Sequence, residues 1–428
     1  MRRTRAAGAC DPVRMPRPFP QEAYAARIAF VVELAVHLHA YGTTAQRLEG
    51  ALVSVAQQLG LHCEPWINPT GMVLAFNDPL RPPGDSDTTR VIRLPPGDTD
   101  LSKLCEVDRI AEEVIAGRLG LAEGHAALRA LARPGGWRGN ALQVFGFGLA
   151  GASVAGLIRL PWLEIAVAGA TGLLIGLLVL AAQDRPRLRE SGDAIAAMVS
   201  ATIAILVAAW VAPINLNTVV IASLIVLMPG MALTNAVNEL TSQHLVSGTA
   251  RFAGAVSTML KLTVGTMIAL TAADLAGIQP QVRAWRPQPD WVEWGALALA
   301  ALAFAVLFRA ARRDYPVVML AAASGYVISR MAGLNWGSPV GIFLAALVLT
   351  AAGNGYARWA HRPGAVVRVP GIILMVPGSA SVRTLITSMQ QQDLVAGADA
   401  AMAVLNILLS LIAGLLFGNL LLPPRRNL

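Results

Sequence analysis

Ile225-Val-Leu-Met-Pro229-Gly230 and Ile372-Ile-Leu-Met-Val-Pro377-Gly378 decide how this chain is read. Each Pro-Gly pair falls near the middle of a long apolar stretch. Downstream of the first stands His244-Leu-Val-Ser-Gly248, and downstream of the second the similar Asp393-Leu-Val-Ala-Gly397. The Pro-to-Leu separations are 16 and 17 residues (229 to 245, 377 to 394), so one inserted residue aligns the two blocks as an internal repeat. Proline removes a backbone donor and glycine relaxes the chain, so a helix can break at either pair. In lipid, a broken helix is tolerated where it lines a cavity or is buried in protein. The half-helix that starts there offers unpaired N–H groups at the positive end of its dipole, a place suited to an amino-acid carboxylate. Two simple proline kinks used for packing are the alternative.

Working outward, about ten stretches reach the roughly 20 apolar residues needed to span a bilayer. They lie near 141–160, 162–182, 193–212, 218–239, 251–275, 291–311, 315–332, 337–357, 367–388 and 398–422. The repeated blocks begin five stretches apart. An odd offset reverses direction, so the halves are expected to be inverted repeats, as in secondary transporters. The expected fold is a predominantly α-helical polytopic membrane protein of about ten transmembrane helices in two five-helix halves, 141–277 and 291–422. A small α+β cytoplasmic domain over 21–135 and an Arg/Pro-rich disordered tail over 1–20 precede them. Gly172-x-x-x-Gly176 and Gly414-x-x-x-Gly418 are small-residue faces for close helix packing.

Composition agrees with this division. Of 428 residues, 55% are hydrophobic and 14% charged, against about 25% charged in soluble proteins. Fifteen of the 26 acidic residues precede residue 141. The net charge of +8 rests on 32 Arg and 2 Lys, Lys103 and Lys261. A nucleic-acid surface needs its charges clustered, whereas these recur between apolar runs. Arg133, Arg138, Arg185, Arg187, Arg189, Arg251, Arg309, Arg312, Arg313, Arg358, Arg362, Arg368, Arg425 and Arg426 fall on one side if each stretch spans once; little beyond Arg159, Arg283, Arg286 and Arg330 falls on the other. Positive residues stay inside, which places both termini in the cytoplasm. No apolar run follows the N-terminal arginines, so no secretory signal is expected.

Within 21–135, Ile28, Val31, Val32, Leu34, Ala35 and Leu38 mark a helix that Gly42 ends, and Thr43 or Thr44 is placed to cap the next. Three strand-like runs follow, then helices over Asp100–Arg118 and Leu121–Ala132. Cys10, Cys63 and Cys105 match no disulfide or zinc spacing and read as reduced thiols. Glu33 and His37 share a helix face but lack a third ligand. Neither a Walker A sequence nor a Ser-His-Asp frame is present, and no cofactor is expected.

Gly42-Thr-Thr-Ala-Gln-Arg47-Leu-Glu49, Ala56-Gln-Gln-Leu-Gly60-Leu and Pro69-Thr70-Gly71 resemble the N-terminal signature of the threonine/serine exporter family. In that family a cytoplasmic domain precedes about ten spans in two five-helix halves, which can also occur as two chains. The resemblance covers nearly the whole chain from residue 21. It implies export of small hydroxy amino acids, or of related small carboxylates, driven by the proton gradient across a bacterial inner membrane.

Charged groups inside spans are expensive and are functional candidates. Lys261, near the middle of its span, and Arg383, about 9 Å along a helix from Pro377, are candidates for the substrate carboxylate. Thr234, Asn235 and Asn238 after Pro229-Gly230, with Ser379 and Ser381 after Pro377-Gly378, supply hydrogen bonds. Glu239, Asp274 and Asp399 are the proton-coupling candidates, because desolvation raises a carboxylate toward neutrality. Interhelical hydrogen bonds, internal ion pairs and solvated interfaces are the competing roles. The mechanism expected is rocking of two halves around the Pro-Gly segments. Neutralising Lys261 or Glu239 is then expected to abolish gradient-driven efflux. A membrane-anchored enzyme or sensor acting through the N-terminal domain, and a passive channel, are the alternatives. The partners expected are substrate, protons and the bilayer, with a possible homo-oligomer.

Overall fold

The computed structural model describes residues 24–79, 87–132, 136–283, 287–376, 378–391 and 394–424. The tail at 1–20, with Cys10, and Pro377 lie outside the described residues. The N-terminal part consists of α1 (Tyr24–Ala40), α2 (Ala45–Gln58), β1 (His62–Asn68), β2 (Gly71–Asn77), β3 (Thr88–Arg93), α3 (Leu101–Ile115) and α4 (Leu121–Leu131). The strands form one antiparallel sheet in the order β1-β2-β3, with Trp66 opposite Val73 and Val73 opposite Val91. Alternation sorts its faces: Cys63, Ile67, Met72, Leu74 and Phe76 are buried, while Trp66 and Val91 are exposed.

The buried residues of α1, α2 and α3 (Phe30, Leu34, Leu48, Leu52, Val107 and Ile110 among them) form a core that continues into Ala305, Val318, Ala365 and Val366 of helices farther along the chain. Backbone bonds reinforce this docking. The first N–H groups of α3, at Leu101 and Ser102, donate to Phe308 O and Arg309 O at 2.9 and 3.2 Å.

The remaining chain is helical. α5 (Trp137–Leu157), α6 (Trp162–Ala182) and α7 (Pro186–Trp210) are long; α8 (Leu216–Ser223), a 3-10 turn at Ile225–Leu227 and α9 (Gly230–Thr241) are short; α10 (Leu245–Leu275) is long again. The same succession recurs as α11 (Asp290–Leu307), α12 (Tyr315–Trp336) and α13 (Ser338–Ala360), then short α14 (Ala365–Ile373) and α15 (Gly378–Gln391), then α16 (Leu394–Leu421). Among the described residues, eight helices are long and apolar enough to cross a membrane, or nine if α8 and α9, bent by 60° at their junction, count as one. This is a polytopic helical membrane protein. Where the sequence predicts single spans over 218–239 and 367–388, the chain forms two short helices each time: α8 ends at Ser223 and α9 starts after its N-cap Pro229, while α14 ends at Ile373 and α15 starts at Gly378.

Small residues set the tightest contacts. A Cβ on Gly172 would stand 2.7 Å from Phe147 O, and one on Gly418 2.8 Å from Leu347 O. The two small-residue faces read from the sequence therefore join α6 to α5 and α16 to α13.

Candidate functional site

The two interruptions meet. A Cβ on Gly378 would stand 2.9 Å from Gly230 N and 3.0 Å from Gly230 Cα; one on Gly230 would stand 2.4 Å from Val376 Cγ1. Only glycine lets these backbones touch. Pro229 is the N-cap of α9, and the Gly230 N–H turns back to Met228 O at 2.8 Å. α9 and α15 both begin at this contact, so two helix N-termini share one place.

A cavity of 620 Å³ opens beside it, within the range of about 300–1,000 Å³ typical of small-ligand sites. Gly230, Gly378 and Ser379 line it, with Met228, Phe147, Phe304 and Tyr326 as apolar and aromatic wall. Toward the N-terminal part the wall becomes polar, through Asn140, Gln143, Gln183, Thr99 and Arg309. The Tyr326 hydroxyl donates to Glu293 Oε1 at 2.7 Å, and Arg330 pairs with the same carboxylate, which is buried.

The other residues singled out in the sequence fall elsewhere. Thr234 is buried on α9 next to this contact, and among the described residues its hydroxyl has no hydrogen-bond partner. Ser381 is buried in α15. Asn235 and Asn238 face a second cavity, against the N-terminal part. Lys261 is half-buried on α10 with Nζ 3.8 Å from Asp193 Oδ2. Arg383, Asp274 and Asp399 are exposed.

Glu239 is fully buried and fully engaged. Ala45 N and Arg251 Nη2 donate to Oε1 at 3.0 and 3.1 Å; Ser247 Oγ and Arg251 Nε donate to Oε2 at 2.7 and 3.1 Å. It thereby takes the position expected of a capping threonine: Thr44 makes no side-chain cap bond, and the first N–H of α2 is satisfied from α9 instead. Beside it, Glu49 Oε2 lies 2.9 Å from His244 Nε2, while Glu49 Oε1 accepts from Ile67 N at 3.2 Å. These contacts bolt α2 to the end of α9 and the start of α10.

Sequence reading passed over Glu164. It sits in the first turn of α6, 0% exposed, and its two oxygens accept from Asn215 Nδ2 at 3.1 and 3.3 Å. A carboxylate at a helix start reads as an ordinary dipole partner; only packing against the start of α8 buries it. Glu293, in the first turn of α11, was hidden in the same way.

In the N-terminal part, Glu33 lies 3.3 Å from His37 Nε2, 3.7 Å from His125 Nε2 and 3.8 Å from Arg129 Nε, a charge-paired cluster. Burial lowers the pKa of His37 and of His39. Cys63 and Cys105 are free and buried, and burial holds both thiols up at about 12.

The family model described as "Putative threonine/serine exporter" matches residues 29–273, and the model described as "Threonine/Serine exporter, ThrE" matches residues 295–421. The chain belongs to the threonine/serine exporter family. Among similar proteins, "Pheromone-regulated membrane protein 10" of Pichia sorbitophila is 25% identical over 86% of this chain and 38% of its own length. The protein of the same name from Candida glabrata is 21% identical over 90% and 49%. "Probable threonine/serine exporter" of Mycobacterium tuberculosis is 25% identical over 77% and 64%. The chain thus spans less than two thirds of the length of these relatives. No solved structure matches it. In this member of the exporter family, the Gly42–Glu49 signature lies at the joint with the membrane helices. Gly42 (φ +83°) makes the turn, Ala45 meets Glu239, and Glu49 meets His244.

Proposed function

We propose that this chain is a secondary active exporter of small hydroxy amino acids, threonine and serine, working by proton antiport with its N-terminal part in the cytoplasm. The observation that carries this reading is the meeting of Gly230 and Gly378 beside a 620 Å³ cavity. Two helix N-termini and the Ser379 hydroxyl give a substrate carboxylate its donors there. The repeated succession of three long helices, an interrupted pair and a long helix supports two halves that rock around this point. The one-sided run of arginines supports the orientation.

Coupling needs a carboxylate that can take up a proton while occluded. Glu239, held by four hydrogen bonds, two of them from Arg251, serves the joint; Asp274 and Asp399 are exposed. We assign coupling to Glu164, fully buried with only an amide against it among the described residues. Export of another small carboxylate uses the same donors, so substrate identity rests on family membership.

The deciding experiment is counterflow of labelled threonine, serine and small dicarboxylates in proteoliposomes, with and without a pH gradient. Threonine and serine are expected to exchange, and an outward gradient of either to be accelerated by a proton gradient. Transport indifferent to the proton gradient makes the protein a channel; exchange of dicarboxylates alone replaces the substrate. Glu164→Gln is expected to lose gradient-driven efflux and keep counterflow. Efflux at the parent rate in that variant removes the coupling assignment.

A further inference from the structure

Between the N-terminal part and the membrane helices lies a second cavity, of 520 Å³, which shares Thr99 and Met231 with the first but is not lined by Gly230 or Gly378. Two arginines from different elements line it: Arg47 of α2, inside the signature stretch, and Arg368 of α14, the helix that leads into the second interruption. Both side chains are half-buried and line the cavity. Each lies within the other's field, and Asp108 is the carboxylate that lines the same space. Burial pushes the Arg47 pKa down, and Asp108 opposes that shift.

Enclosing a charge is costly unless it is paired and hydrogen-bonded, and enclosing two of the same sign adds repulsion. Arg368 lines the cavity, and among the described residues no acceptor bonds it. Neutral polar groups surround the pair. The Thr43 hydroxyl is buried without a hydrogen-bond partner among the described residues. Asn235 and Asn238 of α9 line the cavity, as does Asn419 of α16, whose carbonyl is taken by Asn354 Nδ2 at 2.9 Å so that its NH2 remains. Two fork-shaped cations with amide and hydroxyl groups around them match the geometry of an oxyanion, which arginine binds in bidentate fashion.

The geometry points to a binding site for a small oxyanion, a carboxylate or a phosphate, held between Arg47 and Arg368. The anion cancels their repulsion and ties α2 to α14. It therefore links the signature stretch, already fixed to α9 through Glu239, to the element that feeds the other interruption. This site does not depend on which solute the first cavity carries. The occupant is either an amino acid bound through its carboxylate or inorganic phosphate, and the two are told apart by titration.

The test uses the purified full chain in detergent at low ionic strength, with thermal unfolding and calorimetry against L-threonine, inorganic phosphate and chloride. Threonine or phosphate is expected to raise the unfolding midpoint and to bind with measurable heat; chloride at equal ionic strength is expected to do neither. Arg368→Gln is expected to bind that anion at least ten-fold more weakly. In anion-free buffer it is expected to unfold at a higher temperature than the parent, because one of two like charges is gone. This sign separates the site from a structural arginine, whose loss lowers the midpoint. Arg368→Lys, which keeps charge without the fork, is expected to recover only part of the binding. Response to threonine alone identifies an amino-acid site, and response to phosphate alone an inorganic one. Equal responses in the parent and Arg368→Gln, an equal effect of chloride, or a lower anion-free midpoint in Arg368→Gln each overturn the proposal.

Discussion

Glu239 shows how a residue's role depends on what its neighbours bring. Its side chain is 0% exposed and meets Arg251, Ser247 and the first N–H of α2. Removing one member of a buried ion pair strands the other, at about 3–5 kcal/mol. Arg251 keeps some exposure, so Glu239→Ala is expected near the lower end, about 3 kcal/mol, read as a lower unfolding midpoint of the purified protein. An unchanged midpoint would leave Glu239 free for the coupling role. His37 and His39 give a second prediction. Burial depresses both below 6.5, so the folded chain keeps them neutral while the unfolded chain protonates. Their contribution to stability is whole above 6.5, and it is lost as the pH falls from there through the lower folded-state values. Unfolding midpoints are expected to fall from neutral pH to about 5, and His39→Gln is expected to flatten that slope.

At the scale of elements, the two interruptions are explained by one contact. Gly378→Ala places a methyl 2.9 Å from Gly230 N and 3.0 Å from Gly230 Cα, so one backbone must retreat. A displacement of about 1 Å at a reacting or binding centre costs on the order of 10²-fold, and counterflow is expected to fall by that order. Gly254→Ala, on α10 with nothing within 4 Å of the added carbon, is the control and is expected to retain transport. Comparable rates in both variants would dissociate the contact from transport. The Pro-Gly pairs were legible because they are local: a missing N–H and a missing Cβ act within their own helix. That the two glycines touch was not legible, since residues 230 and 378 are brought together by all the helices between them.

For the whole molecule, the orientation of the spans is open to a chemical test. Cys63 and Cys105 are buried, with thiols held at about 12, and are silent toward maleimides that need thiolate. With Cys10 replaced by serine, a cysteine at the exposed Arg187 is expected to label only from the cytoplasmic face. One at the exposed Arg283 is expected to label only from the opposite face. Labelling of both from one side breaks the assignment. The N-terminal part also joins the membrane helices more closely than its sequence suggests. Its core runs on into Ala305, Val318, Ala365 and Val366, and its signature stretch faces α9.

The amino-acid sequence by itself determined the class of fold and the family, and it drew attention to the two Pro-Gly segments; its ten spans compare with eight helices, or nine with the bent pair, among the described residues. Hydrophobic length, a lost donor and an absent Cβ are properties of single residues and their near neighbours. Only the tertiary structure decided which charges are buried and beside what. It gave Glu239 to the joint, left Lys261 half-exposed beside Asp193, enclosed Glu164, and set Arg47 and Arg368 on one cavity. The field at a charged group is the sum over everything packed around it, and residues tens or hundreds of positions away supply most of that sum.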